Sequence, residues 1–142
     1  MHLQIRSKPV ASPPDIEKLL GRLADAGVNL VAVGGSDVEF GGEFAFVPAD
    51  EHEAAALRVL EQFEYPHRVL RVDESPGLSY CLVDDRPGAL YQCLRSVSKD
   101  NLAHGRIIRD VLIGVPNEQQ VAAHQVPVQV YSEQVRTPAS LA

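Results

Sequence analysis

Residues 82–94 read LVDDRPGALYQCL. The opening residues end an apolar strand, and proline and glycine then mark a turn. The last residues start a helix whose apolar positions are Leu90, Cys93, Leu94 and Val97. That spacing lays them along one helix face. Ile16, Leu19, Leu20 and Leu23 show the same spacing, and position 90 follows 16, as 97 follows 23, by the same 74 residues. A repeat of this length means that one supersecondary unit occurs twice.

Working outward from the first copy, Leu3 and Ile5 alternate with Gln4 and Arg6 as a strand that Pro9 ends. Ser12, Pro13, Pro14 and Asp15 supply the cap, first-turn proline and early acid of a helix start, and Gly27 its left-handed stop. Residues 28–33 form a β-branched strand, and 44–47 return from a glycine-punctuated loop as its hairpin partner. Asp50, with Glu53 three residues on, caps a second helix with a stripe of Ala56, Leu57, Leu60 and Phe63. Pro66 ends that helix, and Val69, Leu70 and Val72 make a fourth strand. The order β-α-β-β-α-β predicts a ferredoxin-like α+β unit, with two helices on one face of a four-stranded antiparallel sheet.

Ser75, Pro76 and Gly77 read as a linker, dividing the chain into units at 1–74 and 75–142. The second unit has a strand at 78–83, a helix opened by Pro87, a strand at 105–115 and an alternating strand through Val126, Val128 and Val130. After Tyr131 comes Pro138 and no helical period, so this unit reads β-α-β-β and lacks its last helix and strand. Pro127 is expected on an edge, where its missing N–H costs nothing.

The chain has 142 residues, 45% hydrophobic and 23% charged, enough for a core without disulfide or metal support. Its formal charge of -6 repels phosphate backbones, and Arg58, Arg68, Arg71, Arg86, Arg95 and Arg106 are scattered among acids, which argues against nucleic acid. Cys81 and Cys93 match no zinc spacing and are expected to be reduced thiols. The start of the sequence has no apolar signal core, and no run reaches the roughly 18 apolar residues of a membrane span, so a cytoplasmic location and no membrane partner are expected. His2, His52, His67, His104 and His124 share no metal-ligand spacing, and no serine sits in a nucleophile elbow. The glycines of 34–42 lack a lysine and neighbour Asp37 and Glu39, so they read as a hairpin loop and not a phosphate cradle. No cofactor is implied.

The stretch 82–94 resembles the first strand, loop and helix of an ACT domain, whose hallmark is an acid or asparagine followed by a PGAL-like turn. The stretch 15–30, DIEKLLGRLADAGVNL, resembles the other half of that signature, where a helix ends at glycine and enters a GINI-like strand. The first repeat has SPPDI in place of PGAL, and the second has DNLAHGRI in place of GINI. The resemblance covers 2–73 well and 78–132 in part. It implies a paired ligand-sensing module that binds amino acids where two modules meet.

On that reading the site is the turn of Asp84, Asp85, Arg86, Gly88, Ala89 and Leu90. A helix N-terminus favours a carboxylate, Gly88 permits close approach to backbone, and Asp84 or Asp85 would hold the ammonium. The plain alternative is that Asp85 only caps the helix. The resemblance adds Asn29 and Leu30 at the start of the second strand, where the alternative is an ordinary loop-edge asparagine. The expected protein is therefore a non-enzymatic, allosteric amino-acid-binding regulator that forms a homodimer. The alternatives are a non-catalytic regulatory subunit with an enzyme partner, or a small ferredoxin-like enzyme using Asp84 and Asp85.

Overall fold

A computed structural model describes residues 1–7, 13–36 and 43–135. The expected Pro9 stop, the Ser12 cap, the glycines at 41 and 42 and the tail from 136 lie outside the described residues.

Strand β1 (Leu3–Ser7) is the axis of the first unit. It pairs antiparallel with β3 (Glu43–Pro48) on one side and β4 (His67–Arg71) on the other, and β2 (Leu30–Ser36) adds beyond β3. The order β2-β3-β1-β4 is that of the ferredoxin-like fold. Helices α1 (Pro13–Asp25) and α2 (Glu53–Gln62) cover one face, burying Leu3, Ile5, Phe44 and Phe46 against Leu19 and Leu60. Gly27 has the expected left-handed φ, +73°.

The second unit contains β5 (Leu78–Asp84), α3 (Ala89–Ala103), β6 (Arg106–Ile113), a short α4 (Glu118–Ala122) and β7 (Gln125–Gln134), in a sheet ordered β5-β7-β6. Among the described residues this is the expected βαββ order with one extra helical turn. The sequence reading missed that turn, although its signal is present: the Asn117 side chain accepts from the Gln120 amide, and Gln120 reciprocates, as a capping box.

Other expectations need correction. Strand β7 is not an edge but the centre of its sheet, paired to β5 and β6. Pro127 is tolerated because its carbonyl accepts from Gly114, so its missing N–H also faces β6, one residue past the end of that strand. Asp50 does not cap α2. A 3₁₀ turn intervenes, His52 is the N-cap residue, and the Asp50 carboxylate instead binds the Met1 ammonium at 3.1 Å. The short 75–77 connection itself is a packed turn: the Gly77 carbonyl accepts from the Ser132 amide at 2.8 Å, and the left-handed Gly77 lies against Arg106. Helix α3 begins at Ala89, after both Pro87 and Asp85. Leu20 and Phe63 lie outside the core at 36% and 39% exposure, with the Arg22 guanidinium stacked 3.9 Å from the Phe63 ring centre.

The two sheets pack face to face, so α1 and α2 lie on the outer face of one and α3 on the outer face of the other. Every residue of β1 is buried: Leu3 and Ile5 face helices, while Gln4 and Arg6 face the second sheet. Ala32, Ala45 and Val47 meet Leu112 across this interface, and Leu70 meets Leu78 and Tyr131.

Candidate functional site

The turn after β5 is built from backbone anchors. The Asp85 amide donates to the His124 carbonyl at 2.7 Å and the Arg86 amide to the Asp84 carbonyl at 2.9 Å. Gly88 then adopts φ +83° as the N-cap residue of α3, with no side-chain cap. Beyond Pro87, Gly88 and Ala89 themselves, no heavy atom lies within 4 Å of where a Gly88 Cβ would stand, so the space beside it is open.

A cavity of about 340 Å³ is lined by β5 and α3 beside this turn, a size suited to one small ligand. Asp84, Arg86 and Ala89 line it, together with Cys81, Gln92 and Cys93. Asp84 and Arg86 face each other at 3.7 Å, both more than half exposed, so their attraction is weak and exchangeable. Of the other predicted residues, Asp85 and Gly88 lie on the exposed turn, while Leu90 packs into the core under α3. Burial, reinforced by contact with Cys81, pushes the Cys93 thiol up to about 12.

Asn29 and Leu30 line up elsewhere. The Asn29 amide donates to His52 Nδ1 at 3.0 Å and its carbonyl accepts from Ala49 at 2.8 Å, while Leu30 packs on the first core. Asn29 lines a separate cavity of about 340 Å³ between the units, with Asp50 on one side and Val115, Asn117 and Gln120 on the other. The two halves of the predicted site therefore line different cavities.

Sequence reading missed a charged cluster between the sheets. Arg6 and Arg68 stand directly opposite each other on β1 and β4. Buried Glu43 reconciles these like charges, accepting from Arg6 Nε at 3.1 Å and from Arg68 Nη2 at 2.9 Å. Arg6 also binds Asp110 and lies 3.8 Å from the Tyr131 ring centre, and the Tyr131 hydroxyl contacts Arg68 and donates to Glu133. Burial alone would raise the Glu43 carboxyl, but hydrogen bonds and charge from Arg68 and Arg6 outweigh it and hold it below 4.5. No sequence spacing brings these positions together; only the charge at an inward-facing β1 position, Arg6, hinted at a buried partner.

The fold also gathers His2, Asp50 and Glu53, one potential ligand atom from each lying within 4.8 Å of the others. His2 Nδ1 faces Asp50 at 3.2 Å and Nε2 faces Glu53 at 2.8 Å. Opposite ring nitrogens therefore face different carboxylates, whereas one metal ion could take only one of the nitrogens.

No protein-family pattern matches the chain, and no curated protein matches it in sequence. Solved structures do match in fold. Protein BT0572 from Bacteroides thetaiotaomicron superposes with a TM-score of 0.58 at 16% identity, over 94% of this chain and 78% of that one. The ligand-free regulatory subunit of aspartate kinase from Thermus thermophilus gives 0.54 at 17% identity, over 92% and 82%. A structure of aspartokinase alpha and beta subunits gives 0.53 at 14% identity, over 92% and 82%. At these identities the likeness is one of fold.

Proposed function

We propose that this chain is a regulatory protein that binds a free amino acid, with no catalytic role of its own. Its units divide near 74/75, and the second carries the primary site. The observation that carries the reading is the Asp84–Arg86 pair at the mouth of the β5–α3 cavity. A zwitterion needs one acid and one base a few ångströms apart, and this pair presents both, 3.7 Å from each other and open to solvent. Asp84, assisted by Asp85, takes the ammonium. Arg86 and the first turn of α3, beyond Gly88 and Ala89, take the carboxylate. Leu90 holds that turn against the core. The inter-unit cavity lined by Asn29, with Leu30 behind it in the first core, is the alternative seat.

A thermal-shift screen against the twenty amino acids tests this. A ligand at 100 times its Kd adds about 2.7 kcal/mol, a rise of roughly 5–10 °C for a chain of this size. Silence across all twenty sinks the reading. A response abolished by Asp84→Asn and Arg86→Gln but kept by Asn29→Ala places the ligand at the turn; the reverse pattern moves it to the inter-unit cavity.

The aspartate kinase regulatory subunit among the fold neighbours favours a second form of the same role, in which the chain serves as the non-catalytic subunit of a biosynthetic enzyme in the cytoplasm. Recovery of one stoichiometric enzyme on purification from the native cell supports that form; recovery of the chain alone supports a free-standing homodimeric sensor.

A further inference from the structure

We infer that the outer edge of β5 is a self-pairing surface, where two copies of this chain join their second sheets into one continuous six-stranded sheet. The inference names the surface of the homodimer proposed above but stands on edge geometry alone, so it can fail while ligand binding survives.

Among the described residues nothing pairs with that edge. The Gly77 carbonyl and the Asp85 amide both bond toward β7. Odd-numbered residues of β5 are therefore committed inward, and the backbone groups of Tyr80, Leu82 and Asp84 face outward. The other edges are guarded: β4 carries His67, Arg68 and Arg71, β6 carries Arg106 and Arg109 with an irregularity at Ile108/Asp110, and β2 is tied to the second unit by the Val115 amide on the Val31 carbonyl. The β5 sequence LSYCLVD has no lysine, proline or bulge and only one terminal charge.

The outward set fixes the register. Antiparallel self-pairing must place even residues opposite even residues in hydrogen-bonded pairs. Only the register centred on Cys81 engages the whole seven-residue strand. Tyr80 then lies opposite Leu82 of the second copy, covering side chains that are 37% and 43% exposed. The same register brings exposed Arg86 within two residues of exposed Glu74 of the second copy, a charge-complementary contact formed twice by the two-fold axis. The two β5–α3 cavities are then brought to either side of one seam.

Cys81 meets its own copy as a non-hydrogen-bonded pair, about 4.5 Å between Cα atoms and within the range of about 4.4–6.8 Å that a disulfide spans. The test uses the full chain. Light scattering on the unmodified protein should give twice 15.5 kDa. Leu82→Lys should return it to the monomer mass with its circular dichroism unchanged. In the Cys93→Ser chain, mild copper–phenanthroline oxidation should yield a disulfide-linked dimer through Cys81, a readout that still decides the matter if Leu82→Lys fails to fold. A monomer at every concentration up to the solubility limit overturns the inference. So does a dimer that a folded Leu82→Lys leaves intact, or one that Cys81 does not cross-link.

Discussion

The Gln4 side-chain amide donates to the Gln129 side-chain oxygen at 3.0 Å, with both residues fully buried between sheets and 125 positions apart in the chain. Each has further partners: Gln4 accepts from Arg6, and Gln129 donates to the Met1 carbonyl. Replacing one member strands the other without water. Gln129→Leu is therefore expected to cost about 1–3 kcal/mol. The Gln4→Leu, Gln129→Leu double variant should be less destabilised than the sum of its singles, as read from urea midpoints.

Arg6 is the heavier case. It is 2% exposed and faces both Glu43 and Asp110. Arg6→Met leaves buried carboxylates short of a cation, with an expected loss of about 3–5 kcal/mol in chemical denaturation. A loss under about 1 kcal/mol would mean that Arg68 alone satisfies Glu43.

The lowered Glu43 carboxyl gives a pH signature. A depressed folded pKa contributes stability above the unfolded value, near 4.5, and loses it as pH falls through the folded value. Melting temperature should therefore fall more steeply below pH 4.5 in the unmodified chain than in Glu43→Gln, while above that pH the glutamate form is the more stable. Parallel slopes would remove Glu43 from the acid transition.

Two left-handed glycines should respond differently to alanine. At Gly88 the new methyl meets nothing, so only backbone strain remains, about 1–2 kcal/mol. At Gly77 the same strain is joined by collision with the Ser132 carbonyl and the Arg106 guanidinium, and the Ser132 carbonyl belongs to a paired strand that cannot yield cheaply. Gly77→Ala should therefore melt well below Gly88→Ala. Equal melting temperatures would show that the 75–77 segment relaxes freely.

Cys93 should be slow to alkylate. With its thiol pushed from 9.0 to about 12, its thiolate fraction is about a thousandfold below that of an unperturbed cysteine. Iodoacetamide should label it far faster in urea than in buffer, as followed in the unmodified chain by mass analysis of the separate peptides that carry Cys81 and Cys93.

Much of this fold was legible because local rules act alone in most elements. The 74-residue recurrence of the helix stripe, the Gly27 stop and the period-two strands each follow from spacing. What escaped was set by tertiary partners. Pro127 is an edge signal in isolation, yet it occupies a central strand because β6 ends just before it would be needed. Asp50 looks like a cap until Met1 and His2 claim its carboxylate. The turn of 84–90 could be read directly, since its residues are contiguous. Its separation from Asn29, and the Arg6–Glu43–Arg68 cluster, depend on contacts between strands far apart in sequence.

Strand β1 has no solvent-facing side. Cut away from residues 75–142, the first unit would expose Gln4, Arg6 and Glu43 beside bare Ala45 and Val47. The first unit alone should therefore be markedly less stable, and the whole chain is expected to lose structure in a single all-or-none transition. Any molecule that stabilises one half stabilises both, so a ligand held near Asp84 is felt at β2 with no moving part between them.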